Sequence, residues 1–132
     1  MTKNIYERWY ITIGKKKKEI NISFLNNGCS VTGSCTIIKF LNRTILFEFG
    51  GIQEGHTILD NYRLNKEQIS KIKAKDVDMI IGGHFMHYDH GGNIPALVKQ
   101  NPNIRIITGK NTTGILKEMW LDSANITIRD CE

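Results

Sequence analysis

The chain has 132 residues, 40% of them hydrophobic and 23% charged, which is enough for one domain with a buried core and too few for two. Eighteen Lys and Arg against 13 Asp and Glu leave a formal charge of +5 that favours an acidic partner such as nucleic acid. The composition excludes a disordered chain, and no stretch is apolar enough to cross a membrane.

In chain order, alternating or β-branched segments predict strands at about residues 8–13, 19–25, 34–41 and 44–49, each bounded by Gly, Asn or Lys. The run Lys15 to Lys18 follows Gly14 between the first two and reads as the exposed turn of a hairpin. A helix fits NKEQISKIKAK with Asn65 as its cap, and a strand fits VDMII at 77–81. Next, Asn93 caps and Pro95 opens a helix over NIPALVKQN; a strand at 104–107 and a helix over TTGILKEMWLDSA complete the order. Strands first and β-α alternation afterwards predict one α/β domain over residues 1–132, with polar clusters at strand ends. Cys29, Cys35 and Cys131 form no CxxC, and MTKNIYERWY lacks the apolar core of a signal peptide, so reduced thiols in a cytoplasmic protein are expected.

Between the 77–81 strand and the Pro95 helix lies GGHFMHYDHGG, residues 82–92, with three of the four histidines and an aspartate within seven positions. Imidazole and carboxylate suit Zn, Fe or Mn, and a turn between strand and helix lets such side chains converge. The flanking pairs Gly82-Gly83 and Gly91-Gly92 permit the close turns that this loop needs. The plainer alternative is a helical turn in which His84, His87 and His90, three apart, are ordinary polar residues on one face.

The segment HYDHGG, preceded by an apolar strand and followed by a helix, resembles the HxHxDH signature of the metallo-β-lactamase fold. NNGCSVTGSCTIIKFLNRTILFEFGGIQEG resembles the opening of its β-CASP branch of RNA-processing nucleases, and LKEMWLDSANI the helix after the next strand in that branch. Together these motifs span about residues 22–127. The resemblance implies the N-terminal half of an αββα sandwich, a mixed sheet with flanking helices. It implies metal ligands at His87, Asp89 and His90, with His84 as the counterpart of the first signature histidine. It also implies zinc, with Asp89 and Glu48 as the catalytic carboxylates and a phosphodiester, RNA by class, as substrate.

The chain departs from that pattern at three places. Phe85 stands two residues before His87, where the signature has a histidine, and His84 stands three before. In an extended segment that spacing sends His84 and His87 to opposite sides. Either a bulge absorbs one residue or Phe85 fills the ligand position. Glu48 replaces an aspartate and sets its carboxylate about one bond length further out. The later histidine and the bridging aspartate of such proteins have no counterpart, since His56 is the remaining histidine and Asp122 and Asp130 read as surface residues. One metal ion is therefore expected rather than two. A half sandwich is expected to show an apolar sheet face or an open edge, hence a homo-oligomer or a missing C-terminal partner. The alternative is a non-catalytic remnant acting by self-association or nucleic-acid binding.

Overall fold

The structure is a computed structural model that describes residues 6–25 and 30–124. Cys29, Cys131 and Asp130 lie outside the described residues. Four antiparallel strands come first: β1 (Tyr6–Ile13), β2 (Lys16–Phe24), β3 (Thr36–Phe40) and β4 (Arg43–Phe47). Two parallel strands, β5 (Met79–Ile81) and β6 (Arg105–Ile107), extend the sheet in the order β1-β2-β3-β4-β5-β6. The helices are α1 (Ile58–Ser70), the four-residue α2 (Tyr88–Gly91), α3 (Ile94–Gln100) and α4 (Lys110–Ala124), with a 3-10 turn at Ala74–Asp76. The expected mixed α/β class, a mixed sheet with flanking helices, is the one that the chain adopts.

Several boundaries differ from the sequence reading. The first hairpin needs only Gly14, at φ 62°, and Lys15 to reverse, so Lys16, Lys17 and Lys18 pair with Ile13, Thr12 and Ile11 within β2 instead of forming a loop. The second hairpin turns on Leu41 and Asn42, at φ 49° and 60°, the geometry of a two-residue type I′ turn. Strand β4 stops at Phe47 because Glu48 turns to φ 65°.

Helix α1 starts seven residues before Asn65. Its cap is Thr57, whose hydroxyl accepts from the Asp60 N–H while the Asp60 carboxylate accepts from the Thr57 N–H. Asn65 sits inside α1, buried, with its amide holding both the N–H and the carbonyl of Ile52. Asn93 does precede α3, but it makes no side-chain cap. Its amide instead donates to Gly50 O and Asn65 Oδ1.

The core lies on one side of the sheet. Leu46, Ile80 and Ile106, paired across β4, β5 and β6, are at most 5% exposed and pack with Ile94, Leu97 and Leu116 from the helices. Fully burying such a side chain contributes about 1.5–3 kcal/mol, so this layer anchors the parallel end of the sheet. Asp78 accepts from the Thr44 N–H and from Arg43, which joins the starts of β4 and β5. No helix among the described residues is long and apolar enough to cross a membrane.

Candidate metal centre

The site forms at the carboxyl ends of β4 and β5, where open α/β sheets commonly place ligands. Glu48 leaves β4 and donates its N–H to Ile81 O, which ties it to the end of β5. Beyond β5 the chain enters a turn closed by the His87 N–H on His84 O at 2.9 Å. The residue that separates this loop from the family spacing is taken up in that turn. Neither sequence alternative holds: the segment is not a bulged strand, and Phe85 does not stand among the ligands but is 2% exposed in the core. The glycines make this possible. A Cβ on Gly91 would lie 2.6 Å from Phe85 O, and one on Gly50 would lie 1.6 Å from Asp89 O.

Helix α2 then presents His90. Its backbone is bound to the segment after β4 by Phe49 N–H on His90 O and Gly51 N–H on Tyr88 O, and to the loop before β3 by Ser34 N–H on Asp89 O. Three buried amides brace the same segment from below: Gln68 donates to Gly50 O and Gly33 O, while Asn93 and Asn65 hold Gly50 and Ile52. The sequence carried no signal for Gln68, and it offered Asn65 and Asn93 as caps because both precede helix-forming runs. The sequence signal for the start of α1 is the TILD capping box at Thr57.

Glu48, His84 and His90 each bring a ligand atom to within 4.8 Å of the other two, with Glu48 buried, His90 half-buried and His84 exposed. One carboxylate and two imidazoles can hold a metal ion, and the set suits zinc and ferrous iron alike. His90 Nδ1 lies 2.7 Å from Glu48 Oε2, and its Nε2 lies 3.5 Å from Asp89 Oδ2. The ring of His87 is 6.1 Å from that of His84 and 6.3 Å from that of His90, edge-on to both. Of the five residues singled out from sequence, Glu48, His84 and His90 thus converge, while His87 and Asp89 border the group without joining it. Burial, with the Glu48 charge adding to it, pushes the Cys35 thiol up to about 12.

No family model matches the chain, and no curated protein matches it in sequence. In structure it is similar to a histidine variant of a flavo di-iron protein from Thermotoga maritima, at 15% identity and a TM-score of 0.49, covering 96% of this chain and 33% of that one. A flavoprotein from the same organism matches at 15% identity and a TM-score of 0.48, covering 96% and 32%. The chain spans about a third of the length of these proteins.

Proposed function

We propose that the chain carries a single-ion metal centre of the metallo-β-lactamase kind, filled by zinc, and that its substrate class is a phosphodiester, RNA by resemblance to the β-CASP nucleases. The observation that carries this reading is the convergence of Glu48, His84 and His90 on a loop whose HYDHGG resembles the family signature. The donors fit the ion: two imidazoles and a carboxylate leave an open position for water, and bound zinc brings the pKa of that water to about 7.

The chain's own groups have separable roles. Glu48 Oε2 lies 2.7 Å from His90 Nδ1 and accepts a hydrogen bond when that nitrogen carries the proton, a carboxylate–histidine pairing that fixes the ring and leaves Nε2 as the donor to an ion. Asp89, 3.5 Å from Nε2, is placed to orient a water and accept its proton. The net charge of +5 draws a polyanion toward the chain.

The test is zinc, iron and manganese content per chain on untagged protein. About one zinc per chain is expected, with a loss of tenfold or more in His90→Ala and in His84→Ala, since each removes a ligand or its orienting partner. No metal after reconstitution would refute the reading. A metal-loaded chain should then cleave an RNA oligonucleotide, and Asp89→Asn should slow the cleavage by about a hundredfold or more. A second reading, metal or nucleic-acid binding without turnover, is favoured by the position of His87 and Asp89 outside the one ligand group found among the described residues. RNA binding of equal strength in wild type and His90→Ala, without cleavage in either, would select it.

A further inference from the structure

The helices and their core cover one face of the sheet from β3 to β6; the other face is open. Paired positions share a face, and one row of partners crosses all six strands there: Glu7, Ile22, Ile38, Ile45, Met79 and Arg105. None of the six is buried, nor is any residue of the next row, which runs from Phe24 to Ile107 and includes Phe47 at 46% exposure.

The crossing row reads acid, four apolar residues, base. Rotation by half a turn about an axis parallel to the strands, between β3 and β4, reverses it onto itself. Glu7 then meets Arg105 of a second copy, Ile22 meets Met79, and Ile38 meets Ile45. In the row below, Trp9, Ile20, Phe40 and Arg43 are partners, and the same rotation brings Arg43 over the Phe40 ring of the second copy, a favourable cation–aromatic pairing. The Glu7 carboxylate is already held on this face by Trp9 Nε1 at 2.9 Å. A cleft of about 570 Å³ lies beside Met79 and Arg105, where Glu7 and Ile22 of the second copy would enter.

We propose that this face is the interface of a twofold homodimer, two sheets packed face to face with paired Glu7–Arg105 contacts at the two edges. Aligned packing of two apolar sheet faces is the usual way that sandwiches bury such surfaces. The cations of the open face select against a second copy turned end over end about the row direction, because Arg105 would then stack on Arg105.

Sedimentation of the full chain tests the proposal from about 1 to about 100 µM, where a standard interface should be populated. A dimer is expected in wild type and a folded monomer in Ile38→Asp. Glu7→Arg alone and Arg105→Glu alone should each raise the dissociation constant by about tenfold or more, and the double exchange should recover most of the loss. Both charged positions are exposed, so these variants read association even if Ile38→Asp fails to fold. A wild-type monomer throughout the range overturns the proposal and assigns the face to another polypeptide. A dimer indifferent to the single reversals, or one that the double exchange fails to restore, overturns it as well.

Discussion

Glu48 is the residue on which backbone and chemistry conflict most openly. It holds φ 65°, a region that costs a residue with a Cβ about 1–2 kcal/mol and costs glycine little. Its side chain is buried with one partner, His90. Strain retained at a residue that faces two imidazoles is what a site keeps for function. Glu48→Gly should therefore separate the two demands. It relieves the backbone yet leaves His90 unpaired, so stability in denaturant melts should change by less than about 1 kcal/mol. Metal content should fall to background. A large loss of stability together with retained metal would show that the carboxylate serves packing and not the ion.

At the scale of elements, the loop over residues 30–34 shows how one carboxylate can replace secondary structure. Glu54 Oε1 accepts from the Ser30 hydroxyl at 2.7 Å, from the Val31 and Thr32 N–H groups at 2.8 Å each, and from the Thr32 hydroxyl at 3.1 Å. The Thr32 N–H first, and then the Ser30 hydroxyl, hold the Glu54 carboxyl below its ordinary value of 4.5. A group lowered on folding stabilises above its unfolded value and ceases to do so as pH falls through the folded one. Protection factors at Val31 and Thr32, taken relative to the intrinsic exchange rate at each pH, should accordingly be high near neutrality and fall as the pH drops below about 4.5, while Glu54→Gln should show low protection at every pH. Unchanged protection in Glu54→Gln would sink this account.

Elements whose period matches their burial were legible, because β2, β3 and β4 alternate or run apolar and β5 leads directly into the histidines. The start of α1 is set by the Thr57–Asp60 capping box, and Ile58, Leu59 and Tyr62 of its first turns face solvent, so apolar residues at helical spacing here mark a helix but not a core face. The candidate ligands stand out by type and spacing, but their grouping does not. A turn that buries Phe85 and turns His84 back toward His90 depends on Gly82 and Gly91 meeting that ring and its backbone, which are tertiary contacts with no signature in sequence.

For the whole molecule, the sheet separates two liabilities. The candidate ligands sit on loops beyond the strand ends, while Glu7 and Arg105 mark the edges of the open face, so metal binding and association should be additive. Zinc at about 100 times its dissociation constant adds about 2.7 kcal/mol to the folded state, enough to raise Tm by roughly 10 °C in a chain of this size. That rise should persist in Glu7→Arg, whose weaker dimer should lower Tm at a given protein concentration. In His90→Ala the rise should vanish while the concentration dependence remains. Loss of both responses in one variant would mean that the open face and the ligand loops are one cooperative unit. The second copy would then have to be counted among the groups that shape the metal centre.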